Sequence, residues 1–334
     1  MANRTAAPTS DISADIDLER IYRDMVRCRA FEETFLETLK EGYVNVGWHP
    51  CVGEEGLCAI YSQLRDGDYC GYTHRIFYPW LCRGIDPASL FAEACGRIGG
   101  TAKGKGGTHV ADMSKGIIGR SGMQGGHFPL FVGTAMASQL RGDDSVSVVT
   151  AGEGCSTIGL LHEAANHAAV WKLPVIFVCD NNQYMQCVGT DLIWAQPDVS
   201  RLALAYDMPS VIVPGDDVVA VASAAREAID RARQGGGPTF IEVKMIRWGP
   251  HYLNEPDGLS YRDYDRIEVA RKEADPITNL GAHLLEVGNL TQDELDSTYD
   301  QAREEMQAAV VTALASPAPD VSEAYTDIFA GWDV

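Results

Sequence analysis

The 334-residue chain has no apolar run approaching the roughly 18 residues that a membrane-spanning helix requires. Positive charge is scarce. Its 27 Lys and Arg stand against 47 Asp and Glu, a net charge of −20. That balance argues against a general nucleic-acid or anionic-membrane surface, and any anion site must draw its few cations locally. The nine cysteines contain no C-x-x-C pair and their number is odd. They suit neither a disulfide frame nor a zinc site, and read as small buried apolar residues of a reducing compartment. Residues 1–15 lack the apolar core of a secretory signal and the arginines of a transit peptide, so they read as a mobile tail and the expected location is cytoplasmic. No internal repeat is evident.

Apolar residues make up 46% of the chain, ample for the core of one large α/β domain or two smaller ones. The most informative stretch is 145–186. Val146 to Thr150 is apolar and β-branched, as a buried strand requires. Gly152-Glu153-Gly154 then makes a turn. Residues 157–171 carry Ile158, Leu161, Ala165, Ala168 and Ala169 at helical spacing. Pro174 restarts the chain into a second apolar run, 175–179, which Asp180-Asn181-Asn182 ends. The pattern is a β-α-β unit with parallel strands. Glu153 and Asn182 each lie just past the carboxyl end of a strand, where open α/β sheets bind their ligands. The amides of Gly154 and Cys155 lead into a helix N-terminus, a ready anion site. Carboxylate, amide oxygen and free N–H groups together suit a hard divalent cation and a phosphate, so the residues themselves point to a metal–diphosphate site.

Other readings of the glycines are weaker. A nicotinamide fingerprint needs glycine where Thr157 stands. The segment 99–106, G-G-T-A-K-G-K-G, is nearly a phosphate loop, but Gly106 occupies the place of the metal-binding Ser or Thr. A plain connecting turn at Gly152 and Gly154 remains open at this point.

The spacing G-E-G, 26 residues, then Asn181-Asn182 resembles the thiamine diphosphate motif, in which G-D-G is followed by N-N. The text between, with Glu163, Asn166 and W-K-L-P-V-I-F-V, resembles the alpha subunit of thiamine-dependent 2-oxo acid and acetoin dehydrogenases. Residues 68–84 (D-Y-C-G-Y-T-H-R-I-F-Y-P-W-L-C-R-G) are similar to that family's T-H-R segment without gaps, and the glycine-dense stretch 96–126 resembles the acetoin-type members. The resemblance covers about residues 18–330. It implies an α/β fold, a doubly wound, mostly parallel sheet flanked by helices. It also implies thiamine diphosphate and Mg²⁺ as cofactors, and carbon–carbon cleavage of a 2-oxo acid or acyloin.

Carried over residue by residue, the resemblance assigns Mg²⁺ to Glu153, the Asn182 side chain and the Tyr184 backbone. It places the diphosphate against His74, Arg75, Gly154 and Cys155, with Gly152 opening the turn. It sets the backbone at Gly122 and Gln124 against the aminopyrimidine. His49, His127 and His251 become candidates for proton transfer, with His251 also near the cofactor. In this family the glutamate that activates the aminopyrimidine belongs to a beta subunit, and a chain of this length is too short for both parts. An α₂β₂ assembly is therefore expected, with a lipoyl acyltransferase as a further candidate partner.

Several positions depart from the family. Glu153 replaces its Asp, Phe77 a histidine that faces substrate, and Gly249 the first histidine of R-x-H-G-H. Gln124 is polar where apolar residues are usual. Tyr252 replaces a serine phosphorylated in mitochondrial pyruvate dehydrogenases, so that switch is expected to be absent. The departures suggest a divergent substrate. Two alternatives stay open: a thiamine-dependent decarboxylase or carboligase working without a lipoyl complex, and a non-catalytic regulatory subunit.

Elsewhere, apolar spacing predicts helices over 15–41, 54–64, 87–99, 129–140, 198–205 and 218–233, a strand over 239–246, and helices again between 276 and 315. Thr291 with Glu294 forms a capping signature. The expected organisation is a tail (1–15), a cofactor-binding α/β domain (16–316), and a linker with a docking tail (317–334) carrying Tyr325, Phe329 and Trp332.

Overall fold

A computed structural model of the chain describes residues 4–5, 16–44, 46–253, 255–256 and 261–329. Its elements run in the order β1 (Arg4–Thr5), α1 (Leu18–Lys40), α2 (Cys58–Tyr61), β2 (Tyr69–Gly71), α3 (Pro79–Cys82), α4 (Pro87–Ala94), β3 (Ile117–Gly119), α5 (Phe128–Arg141), β4 (Ser147–Gly152) and α6 (Gly159–Trp171). There follow β5 (Val175–Asn181), β6 (Tyr184–Met185), β7 (Val188–Gly189), β8 (Ser210–Pro214), α7 (Val218–Arg233), β9 (Thr239–Lys244), α8 (Tyr264–Glu273), α9 (Pro276–Glu286) and α10 (Gln292–Ala315). Seven strands form one sheet in the order β1-β8-β9-β5-β4-β2-β3, and every pairing in it is parallel. The short β6–β7 hairpin stands apart as an antiparallel pair.

Both faces of this sheet are covered, so its central strands are apolar on both sides. Alternation sorts their side chains. Val148, Ile176, Val178, Ile241 and Val243 pack into the cluster shared with α1, α2, α7 and α10, whereas Val149, Ala151, Phe177, Cys179 and Phe240 pack against α5 and α6. The expected doubly wound α/β architecture is the one formed. The helix predicted over 218–233 matches α7, capped by Asp217 accepting from the Ala220 amide. The capping box of Thr291 and Glu294 is complete.

The segment predicted as helix 54–64 behaves differently. It is a 3₁₀ turn at Glu55–Leu57 followed by a single α turn. The cause is the pair of acids at its start. Glu55 turns inward to bind the Arg29 guanidinium and the Gly53 amide (2.8 Å). Gly56 sits so close to the Gly215 carbonyl that any side chain would collide with it.

Two buried carboxylates fix the outer loops. Glu93 accepts from the amides of Ala102 (2.6 Å), Gly104 (3.0 Å), Gly106 (2.6 Å) and Gly107 (3.2 Å). The phosphate-loop-like segment thus spends its amides on the protein's own carboxylate. The C-terminal segment lies against the same loop. Lys103 and Lys105 pair with Glu323 and Asp327, and the Ile98 amide donates to Pro317. Trp332 of the expected docking tail, and most of 1–15, fall outside the described residues.

Asp68, fully buried, accepts from the amides of Val146 and Arg65 (2.9 Å each) and from both terminal nitrogens of Arg233 (2.9 and 2.5 Å). It joins the start of β2 to β4 and to the end of α7. Asp68→Ala removes the carboxylate partner of Arg233, which keeps only the Asp144 carbonyl (2.8 Å), and leaves two amides without their acceptor; it is expected to cost about 3–5 kcal/mol in chemical denaturation. A loss below about 1 kcal/mol would contradict this role.

Candidate functional site

The register of β4 and β5 aligns Gly152 with Asp180. Glu153, leaving β4, and Asn182, leaving β5, therefore emerge from neighbouring strands at the same sheet edge. Trp194 Nε1 donates to the Glu153 carbonyl (2.9 Å) and steadies the turn. Gly154 lies under the β6–β7 hairpin, so closely that a β-carbon would strike Met185. That approach brings Tyr184 over the G-E-G turn.

Around Glu153 the structure gathers acids that the sequence reading did not single out. Glu54 accepts from Asn182 Nδ2 at 3.3 Å, and the Asp180 charge acts on both Glu54 and Glu153. All three are buried, and Glu54 Oε2, Asp180 Oδ1 and Glu153 Oε1 have no hydrogen-bond partner. Burial and the neighbouring Asp180 charge push the Glu153 carboxyl up to about 7. Burial likewise raises Asp180 to about 7 and lifts Glu54 well above the usual carboxylate range. The opposing influences are Arg75 and Arg247.

Arg247, also missed, is fully buried. It donates to the carbonyls of Tyr184 (3.3 Å) and Gln186 (3.0 Å) and to the Tyr261 hydroxyl (2.9 Å). Its plane lies over the Tyr184 ring, 5.2 Å from the centroid. Asn182 Oδ1 accepts from the Tyr184 amide at 3.3 Å.

On the other side of the acids, three loops deliver a histidine cluster. The ring centroids of His49 and His74 are 4.4 Å apart, those of His49 and His251 4.9 Å, and those of His74 and His251 5.3 Å. Glu32 of α1 anchors the first loop through Trp48 Nε1 and the Cys51 amide, both at 2.9 Å. Glu255 anchors the third by accepting from the His251 amide and the Tyr261 hydroxyl. Arg75 ties the loops together. Its guanidinium donates to the carbonyls of Pro50, Pro250 and His251 and meets His251 Nδ1 at 3.2 Å. Burial first, and the Arg75 charge second, lower His49 to about 3, His74 to about 2 and His251 to about 4, so all three rings are neutral at pH 7. Neither ring nitrogen of half-buried His74 has a hydrogen-bond partner.

The remaining candidates lie elsewhere around the turn. Gly122 is exposed and Gln124 half-buried in the loop ahead of α5. The half-buried Cys155 thiol lies beside Gly125 of that loop, with its pKa raised to about 12 by burial and by Glu153. His127 is not part of the histidine cluster. It is buried against Phe128, and its Nε2 meets the Thr150 carbonyl at 3.0 Å. Phe77 packs against Phe31 (5.1 Å), Trp48 (5.3 Å) and Trp80 (5.7 Å), so this position builds core in place of a substrate-facing histidine.

A parallel α/β sheet with a buried acidic cluster flanked by two arginines at its strand ends defines the doubly wound class, whose ligands bind at that edge. Comparison with known proteins narrows this. The family model of the dehydrogenase E1 component matches residues 23–322, and the chain belongs to that family. It is 35% identical to the alpha subunit of acetoin:2,6-dichlorophenolindophenol oxidoreductase of Cupriavidus necator, over 98% of this chain and 99% of that one. Identity to the Bacillus subtilis protein of the same name is 36% over 94% and 93% of the two chains. Identity to the pyruvate dehydrogenase E1 component subunit alpha of Rhizobium meliloti is 35% over 96% and 91%. Among the described residues no helix is long and apolar enough to cross a membrane.

The raised Glu153 carboxyl has a thermodynamic consequence. Its folded pKa, about 7, lies above the ordinary 4.5, so the folded state binds the proton more tightly than the unfolded state. The stability it contributes is full below pH 4.5 and is lost as pH rises towards 7. Glu153→Gln is therefore expected to melt at increasingly higher temperature than the metal-free parent as pH rises through this window. A constant difference across the window would contradict the assignment.

Proposed function

We propose that the chain is the alpha component of a thiamine diphosphate-dependent oxidoreductase acting on acetoin or a 2-oxo acid, completed by a beta subunit. The observation that carries this reading is the set of buried, unpartnered carboxylate oxygens at the ends of β4 and β5. Oxygen-only donors of this kind fit Mg²⁺. Glu153, the Asn182 side chain and the Tyr184 carbonyl would hold the ion. Glu153 is one methylene longer than the Asp of the family motif, so its carboxylate reaches further from β4. Glu54, held well above the usual carboxylate range by burial and the Asp180 charge, would limit the negative charge near the ion.

The amides of Gly154 and Cys155, with Arg75 and His74, would meet the diphosphate. His74, neutral and unpartnered, is free to donate one hydrogen bond to an anion. Bound, thiamine diphosphate supplies a nucleophilic carbon and an electron sink for carbon–carbon cleavage. The protein's own contribution is placement of that group and proton handling. Burial is the larger cause of the low His49 and His251 values; an anion beside Arg75 offsets the second cause, the Arg75 charge, which moves both upwards and makes the rings better proton acceptors. His127, bound to the Thr150 carbonyl, would position the β4 end and the loop of Gly122 and Gln124.

The relatives are named as alpha subunits and match this chain over nearly their whole length. We therefore assign the missing acid for the aminopyrimidine to a beta partner in an α₂β₂ assembly. Exposed Leu130, Leu140, Val170 and Trp171 on α5 and α6 supply apolar surface that suits a partner subunit.

The test is calorimetric titration of the chain, co-purified with its beta partner, using thiamine diphosphate and Mg²⁺. A screen of acyloins and 2-oxo acids with 2,6-dichlorophenolindophenol as acceptor would follow. Saturable, Mg²⁺-dependent binding is expected. Arg75→Ala should weaken it at least about tenfold through the loss of charge-assisted hydrogen bonds. Unchanged affinity would remove Arg75 from the diphosphate site, and no binding at all would overturn the reading.

A further inference from the structure

Away from this site, three cysteines from three helices converge in the core. Cys28 of α1, Cys58 of α2 and Cys82 of α3 hold their sulfurs within 4.8 Å of one another, with Cys28 and Cys58 at 3.8 Å. Cys28 and Cys58 are fully buried and Cys82 nearly so. Three sulfurs bound at about 2.3 Å lie about 4.0 Å apart around a planar centre and about 3.3–3.5 Å apart around a pyramidal one. The closest pair, at 3.8 Å, has to draw in by only a few tenths of an ångström to serve a pyramidal centre. Among the described residues no fourth ligating side chain joins the group at this range, so the tetrahedral arrangement of structural zinc is not available.

We propose that Cys28, Cys58 and Cys82 form a three-coordinate thiol site for a soft, trivalent, thiophilic centre, of which arsenite is the representative. Charge selects this class. Copper(I) or zinc on three thiolates leaves a net negative complex in a buried site, and the nearby cation, Arg27, is already paired with Glu305. Arsenous acid condenses with three thiols to a neutral product: three As–S bonds form, three As–O bonds break, each thiol proton leaves on a departing hydroxyl as water, and no oxidation state changes. The surroundings reinforce the choice. Asp24 lies beside the cluster, bound to the Ser62 hydroxyl at 2.8 Å, and burial with the nearby Cys82 raises it to about 7. A negative complex would add charge beside that carboxyl and oppose its ionisation further, whereas a neutral one adds none. Capture at this point would cross-link α1 to the helices that follow Glu54 and Arg75.

The test uses the full-length reduced chain and sodium arsenite. Native mass spectrometry should show one arsenic gained and three hydrogens lost per chain, with a new sulfur–arsenic absorption and a raised melting temperature. Cys58→Ala and Cys82→Ser should each weaken binding at least about tenfold. Cys187→Ser, at an exposed thiol remote from the cluster, should leave it unchanged. Should a core variant fail to fold, the wild type decides: an anomalous arsenic peak among the three sulfurs supports the site. Arsenic elsewhere, no binding, or copper(I) bound in preference to arsenite would overturn it.

Discussion

Three carboxylates share a space from which water is excluded and in which their oxygens outnumber the donors available. That is the constraint on which the structure turns. Glu54, Asp180 and Glu153 cannot separate, because the pairing of β4 with β5 sets two of them side by side and Asn182 holds the third. Ionised carboxylates buried without partners cost several kcal/mol each. The protein meets this by protonation and by placing Arg75 and Arg247 nearby. Such a cluster is poor as a folding element and well suited to a cation that arrives later.

The same two arginines organise the surrounding loops. Arg75 gathers the carbonyls of Pro50, Pro250 and His251, so His49 and His251, far apart in the sequence, come to 4.9 Å between ring centroids. Arg247 does the equivalent for the hairpin that carries Tyr184. Loop geometry and site electrostatics therefore depend on one pair of residues. Acidic anchors at Glu32 and Glu255 complete the arrangement.

The central β-α-β unit was legible in the sequence because its strands are buried on both faces and its breaks fall at glycine and proline. The exit of Glu153 and Asn182 on one sheet edge followed from that unit alone. Other parts were not legible for physical reasons. β2 and β3 are three residues each, too short for alternation to register. Helix α8 buries only Ile267 and Ala270, so its pattern is almost wholly polar. Asp180 closes an apolar run and Arg247 stands between Ile246 and Trp248; a charge beside such residues is the one signal that marked these two, but its partner is fixed only by the fold. Glu54, in G-E-E-G, carries no such signal. Phe77 was read by its place in a motif, whereas its surroundings, four further aromatic rings, place it in the core.

The central claim is that neighbouring strand ends grip a diphosphate through a divalent cation. Its most direct test is a crystal structure of the chain with its beta partner, thiamine diphosphate and Mn²⁺, the last serving as an anomalous marker for Mg²⁺. The account predicts a manganese peak bound by Glu153 and the Asn182 side chain, with diphosphate oxygens completing its shell. A peak bound elsewhere, with the Glu153 carboxylate turned away from it, would contradict the account.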